Sequence, residues 1–149
     1  MNLKGIVTTT LLATIGFSSG VYAASGEHIQ TLQQTGNCVR CDLTGLPLNN
    51  TNLSGANLRG TRLSLASLKN AQLANANLSA ANLQGANLEN ADLRGANLKG
   101  ANLKYANLSR ANLEGANLQG AKLDGALING VNFCRAIVPE QYRSLQSCR

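Results

Sequence analysis

The sequence predicts an all-β solenoid, and three features of one repeat carry that prediction. From Cys41 to Glu140 the chain repeats every five residues, twenty times without a slip. The central residue of the unit, called position i, is leucine in every unit from Leu43 to Leu123. Position i−2 is alanine in fifteen units, and position i+2 is glycine in ten and asparagine in four. Short segments with one apolar face, each ended by a turn, stack into a solenoid.

The five-residue period excludes the two regular alternatives. Five residues advance about 500° around an α-helix, so successive leucines would form no stripe. Five is also odd, so along a plain strand the leucines would alternate between the two faces. Glycine and asparagine at i+2 tolerate positive φ and supply the turn that each unit needs.

The A(N/D)LXX consensus, seen in residues 81–85, 86–90 and 91–95, resembles the pentapeptide-repeat family. This resemblance implies a right-handed quadrilateral β-helix with twenty residues per coil, here expected over residues 38–138. It also implies that Leu at i and Ala at i−2 point inward, while the other three positions face solvent. Twenty units then make about five coils, and at about 4.8 Å per coil the rod is about 24 Å long.

Residues 1–23 have the features of a secretory signal peptide. Lys4 supplies a positive start, residues 5–17 are mostly apolar, and residues 21–23 (Val-Tyr-Ala) fit the small-residue cleavage rule. The alternative is a membrane anchor, for which the segment is short and rich in threonine. We expect cleavage near Ala23, export to the periplasm or the thylakoid lumen, and no stable membrane insertion afterwards.

A stacked column has two open ends, and short α-helical caps are expected to cover both. Residues 24–37 form the predicted N-terminal cap segment, with a helix from Glu27 to Thr35. Ser25 is the expected N-cap residue, and Gly36 is expected to end the helix.

Residues 139–149 form the predicted C-terminal cap helix. Pro139 suits the first position of an α-helix. Tyr142, Leu145 and Cys148 would then share the face that packs against the last coil. This cap would bring the C-terminal cysteine back towards the repeat.

Four cysteines agree with an oxidising compartment. Cys134 and Cys148 can pair. In the chain-entropy model, closing a loop of about 15 residues stabilises the folded state by roughly 3 kcal/mol. Exported family members from cyanobacteria and thylakoid lumens have a disulfide at the C-terminal end, and this resemblance favours that pair. The residues alone do not decide whether Cys38 and Cys41 form a local disulfide, remain two buried thiols or act as a redox motif.

A thiol-disulfide redox protein using Cys38 and Cys41 is therefore an alternative function. Such a site needs an exposed helix N-terminus, and the chain has no βαβ pattern. A zinc site is not predicted, because the two cysteine pairs lie roughly 20 Å apart along the rod. His28, the single histidine, is expected to be a surface or cap residue. With Leu and Ala filling the interior, we predict no enzyme activity and no cofactor or metal.

Some family members confer quinolone resistance by resembling DNA and binding DNA gyrase. This chain has a formal charge of +6, so a DNA-binding groove would repel it. Export would also separate it from gyrase, which leaves the DNA mimic as a remote alternative. Its basic residues fall on all sides with few aromatic residues, so no nucleic-acid binding is predicted.

Two departures from the repeat predict a contact with an unknown protein partner. Leu65 and Tyr105 occupy i+2 positions two coils apart, and Arg62, Lys104 and Lys122 fall on the same face. The sequence therefore predicts an exported, non-catalytic interaction scaffold, with a homodimer left open. A stacked amide ladder is expected to be structural, and it consists of Asn57, Asn77, Asn97 and Asn117.

Overall fold

The structure, a computed structural model, describes residues 23–146 and Cys148. The predicted signal peptide lies outside these residues except for Ala23. Helix α1 spans Ala23–Thr35, and a 3-10 helix spans Glu140–Leu145. Neither helix has the length and apolar character needed to cross a bilayer.

Isolated β-bridges replace continuous strands between the two helices. Each bridge joins an i−1 residue in parallel to the residue twenty positions later, from Asn37 with Asn57 to Asn117 with Ile137. One coil therefore contains twenty residues, or four pentapeptides. We call the pentapeptides that stack at a spacing of twenty a side of the solenoid.

Backbone hydrogen bonds tie each coil directly to the next. The Leu78 N–H donates to the Asn97 carbonyl at 2.8 Å, and the Asn97 N–H donates back to Ala76 at 2.9 Å. The same pair of bonds recurs along the rod. Each coil is thus stabilised by its two neighbours, as expected for a one-dimensional stack.

Leucine and alanine fill the interior. The leucines at i and the alanines at i−2 are buried along the column, and Leu88 in its middle is 0% exposed. Thr51 and Thr61 replace alanine near the N-terminal end, and their buried hydroxyls donate to the carbonyls of Leu48 and Cys38. Within the described residues, no buried side-chain nitrogen or oxygen lacks a hydrogen-bond partner.

The N-terminal helix is longer than predicted. It starts at Ala23 instead of Glu27, so the expectation that Ser25 is the N-cap residue was wrong. Apolar burial explains the position of the helix, because Ile29 and Leu32 are both buried in the core cluster. The helix ends where expected, since the Gly36 N–H donates to the Leu32 carbonyl at 2.9 Å.

The C-terminal helix is a 3-10 helix and not the predicted α-helix, and Pro139 precedes it instead of starting it. Tyr142 packs against the core cluster, but Leu145 is exposed and Cys148 is exposed. The predicted shared face was therefore wrong. Few residues separate the buried Val138 from Cys148, whose Cα returns to 4.7 Å from that of Cys134. Within this return the described helix is the six-residue 3-10 helix.

A side chain takes over one hydrogen bond at the C-terminal end of the stack. The Gln146 amide donates to the Ala136 carbonyl. In the inner coils the equivalent carbonyl accepts from the next coil, as Ala116 does from the Ile137 N–H at 2.8 Å. Gln146 therefore substitutes for a further coil on this side.

Candidate interaction surface

Leu65 and Tyr105 project from turns in the left-handed backbone conformation that the i+2 residues share along the repeat. Both have φ of 59°, and they are 70% and 67% exposed. Positive φ is rare for bulky residues, and the left-handed region costs roughly 1–2 kcal/mol for a residue with a Cβ. Two large apolar side chains thus stand in water at positions where glycine is the commonest residue of the repeat.

Each of these side chains lies over a glycine of the following coil. A Cβ built on Gly85 would be 2.9 Å from Leu65 Cδ2, and one on Gly125 would be 2.5 Å from Tyr105 Cδ1. Large side chains therefore alternate with glycines along this column, so that the next coil displaces neither Leu65 nor Tyr105. The column consists of Gly45, Leu65, Gly85, Tyr105 and Gly125.

We expect Gly125→Ala to destabilise the protein more than Gly115→Ala does. Both glycines have positive φ, so either change costs roughly 1 kcal/mol in backbone strain. Only at Gly125 would the new methyl group meet Tyr105, because nothing lies within 4 Å at Gly115. Urea unfolding measures the difference, which should disappear in a Tyr105→Gly background. A difference that persists there would contradict the described contact.

Two of the three basic residues predicted beside this column are held in ion pairs along the rod. Arg62 Nη1 lies 3.4 Å from Asp42 Oδ2, and Lys104 Nζ lies 3.2 Å from Asp124 Oδ2. Lys122 is exposed and belongs to none of the ion pairs within residues 23–146. Surface ion pairs contribute about 1 kcal/mol or less to stability, so a binding partner can replace them with ion pairs of its own at little cost in free energy.

The environment of Asp42 on this side favours its charged form. Hydrogen bonds from Thr44 lower the pKa of Asp42 below its ordinary value, and the charge of Arg62 adds a smaller effect. The ion pair with Arg62 is therefore maintained to well below neutral pH. The stability that Asp42 contributes is lost only as pH falls through its lowered pKa.

The two cysteine pairs lie at opposite ends, each with its sulfurs at bonding distance. The Cys134 and Cys148 sulfurs are 2.01 Å apart, and those of Cys38 and Cys41 are 2.10 Å apart. Cys38 is 1% exposed and Cys41 is 6% exposed. Both cysteines are thus buried, which does not fit a reactive redox pair, because such a pair must be accessible to its substrate.

His28 connects α1 to the first coil. Its side chain is half-buried, and its Nδ1 accepts a hydrogen bond from the Asp42 N–H at 3.2 Å. Within residues 23–146 and Cys148, no three His, Cys, Asp or Glu side chains come together as metal ligands would.

The predicted amide ladder is only partly hydrogen-bonded. Asn77 Nδ2 donates to Asn57 Oδ1 at 3.4 Å, and this is the one side-chain bond between those four residues. Instead, each Oδ1 accepts the N–H two residues later in its own turn, as Asn97 does from Lys99 at 3.1 Å. These asparagines therefore stabilise turns more than they link coils.

Sequence reasoning missed the glycines beneath Leu65 and Tyr105. The signal was present, because aligning the chain at a spacing of twenty places Gly85 after Leu65 and Gly125 after Tyr105. The twenty-residue coil was used to place Leu65 and Tyr105 on one face, but not to ask which residues lie over each of them in the following coil.

A stack of pentapeptide coils with a filled interior and projecting turn residues defines a repeat solenoid. The model of the family called pentapeptide repeats matches in eight copies, over residues 37–73, 71–104 and 96–133. The chain belongs to the pentapeptide repeat family, as the sequence predicted.

Two solved structures illustrate the relationship. HetL, a pentapeptide repeat protein involved in heterocyst differentiation regulation in the cyanobacterium Nostoc sp. strain PCC 7120, is 40% identical with a TM-score of 0.64. That match covers 70% of this chain but only 49% of HetL. A pentapeptide repeat protein from the Arabidopsis thaliana thylakoid lumen is 34% identical with a TM-score of 0.66, and 73% of each chain is covered. A search among curated proteins gave no significant match.

Proposed function

We propose that this protein is an exported, non-catalytic scaffold that contacts a protein partner through the Leu65–Tyr105 surface. This surface comprises Leu65 and Tyr105 with the flanking Arg62 and Lys104. Family membership supports a right-handed quadrilateral β-helix, with α1 and the 3-10 helix acting as end caps. The relative from a thylakoid lumen and the paired cysteines support a compartment such as the periplasm or that lumen.

One observation carries the partner contact. Leu65 and Tyr105 are more than two-thirds exposed, and both keep a backbone conformation that glycine would adopt without strain. Because these exposed side chains contribute little to the stability of the fold, a contribution to partner binding is the simplest reason for their large size.

The geometry defines the chemistry of the partner. Two coils separate Leu65 from Tyr105, which places them about 10 Å apart along the rod. A matching protein would offer two apolar pockets at that spacing. Acidic residues on its rim would meet Arg62 and Lys104 in place of Asp42 and Asp124.

The test compares capture by the wild type and by a Leu65→Gly, Tyr105→Gly double variant. Immobilised protein is incubated with the exported fraction of the source organism, and bound proteins are identified by mass spectrometry. We expect the double variant to lose the partner. Its unfolding free energy should stay within about 1 kcal/mol of wild type, because glycine relieves the strain at both turns.

The matched control is Ala80→Gly with Arg110→Gly, which alters two other exposed residues of positive φ. This control should retain the partner. Retention of the same partner by the Leu65→Gly, Tyr105→Gly variant would overturn the assignment of the surface.

A further inference from the structure

Positive charge is concentrated on one side of the solenoid. We call it the basic side, and it consists of residues 36–40, 56–60, 76–80, 96–100 and 116–120. Over these units it carries Arg40, Arg59 and Lys99 and no Asp or Glu, and the last unit of the same side, residues 136–140, adds Glu140, which is paired with Arg143. Each of the other three sides carries at least one carboxylate. Those carboxylates are Asp42 and Asp124 on one side, Glu89 on the next, and Asp92 and Glu114 on the third.

The cations of the basic side are also unpaired. Arg40, Arg59 and Lys99 are exposed, and none of them takes part in an ion pair within the described part of the chain. Every arginine or lysine at a described position on the other sides is paired except Lys122. The charges of the basic side are therefore fully available to an anionic ligand.

The polar groups between these cations are donors. On this side, the Oδ1 atoms of the four stacked asparagines accept backbone N–H groups of their own turns, at 3.0–3.4 Å. Of the corresponding Nδ2 groups, only that of Asn77 donates to another residue among those described. The basic side thus offers cations, together with four stacked asparagines whose amide oxygens are occupied and most of whose amide N–H groups are free to donate. These asparagines are Asn57, Asn77, Asn97 and Asn117.

The dimensions favour an extended ligand. A pentapeptide spans at most about 17 Å, and five coils extend about 24 Å, so one side has an area of roughly 400 Å². Equivalent donors recur at the coil spacing of about 4.8 Å, and a pyranose residue advances an extended glycan by a similar distance. No aromatic residue on this side is available to stack a nucleic-acid base.

We infer that the basic side binds a linear glycan that carries carboxylate groups, laid along the rod axis. Arg59 and Lys99 stand in one column two coils apart and bind carboxylates. The asparagine amides between them donate to sugar hydroxyls. This surface is separate from the Leu65–Tyr105 surface, so the rod would join a protein to an acidic polysaccharide.

Isothermal titration with polygalacturonate tests the inference, with uncharged dextran as the reference polymer. We expect the full-length wild type to bind polygalacturonate and not dextran, and to bind more weakly as salt is added. An Arg59→Ser, Lys99→Ser variant should bind at least about tenfold more weakly. A Lys69→Ser, Lys104→Ser variant loses the same charge from other sides and should change affinity by less than about threefold.

Three results would overturn the inference. The first is an absence of polygalacturonate binding by the wild type, and the second is an equal weakening in both variants, which would indicate diffuse charge. The third is binding to anionic phospholipid vesicles that only the Arg59→Ser, Lys99→Ser variant loses, while polygalacturonate binding is unchanged. That result would assign the basic side to a membrane surface instead.

Discussion

Leu88→Lys is expected to unfold the protein, whereas Leu65→Lys is expected to leave its stability almost unchanged. Leu88 is 0% exposed in the middle of the leucine column, and Leu65 is 70% exposed at a turn. Burying an unpaired ammonium group and losing the packed leucine together cost more than about 4 kcal/mol. The same substitution at the exposed site should stay within about 0.5 kcal/mol.

The measurement is urea unfolding of both variants, followed by circular dichroism. Using one substitution at two sites separates burial from the chemistry of lysine. Similar losses of stability at Leu88 and Leu65 would contradict the assignment of position i to the interior.

Leu32→Glu is expected to detach helix α1 and to destabilise the N-terminal coil before the rest of the rod. Leu32 and Ile29 are buried in the core cluster, and burying each contributes roughly 2 kcal/mol. A glutamate at Leu32 removes one of these contacts and forces the helix into water. Because each coil contacts only its neighbours, the loss should fade along the rod.

Hydrogen exchange resolves this effect by position. Amide protection should fall in residues 37–60 and remain near wild-type values in residues 81–120. Gln34→Glu, at an exposed position of the same helix, is the control and should change neither region. A uniform loss of protection along the whole chain would show that the coils unfold together and not from the end.

The repeat made the family and the interior predictable because each unit repeats the same physical choice. Leucine at i is buried wherever it occurs in the column, and glycine or asparagine at i+2 provides the turn. At the two ends the repetition stops. The helix boundaries there had to be predicted from local signals, which compete with one another. Ser25 is a good N-cap residue, but the helix continues through it to Ala23, and Pro139 precedes a 3-10 helix that the return to Cys134 keeps short.

The candidate surfaces were predictable to different degrees. Leu65 and Tyr105 break the pattern of the repeat, so the sequence alone identified them. The pairing of Lys104 with Asp124 joins residues twenty apart and depends on side-chain conformation, which the five-residue period does not specify. The basic side was missed for a different reason, because charges were counted over the whole rod and not side by side at the spacing of twenty.

The parallel bridges at a spacing of twenty also constrain how such a chain can change length during evolution. Duplication or loss of twenty residues adds or removes a coil and leaves every downstream residue on its own side. An insertion of five residues between Leu65 and Tyr105 would instead move Tyr105 to the side that holds Asn70 and Asn90. Chains that lengthen by whole coils preserve their binding columns, whereas single added units reassign the surface beyond them.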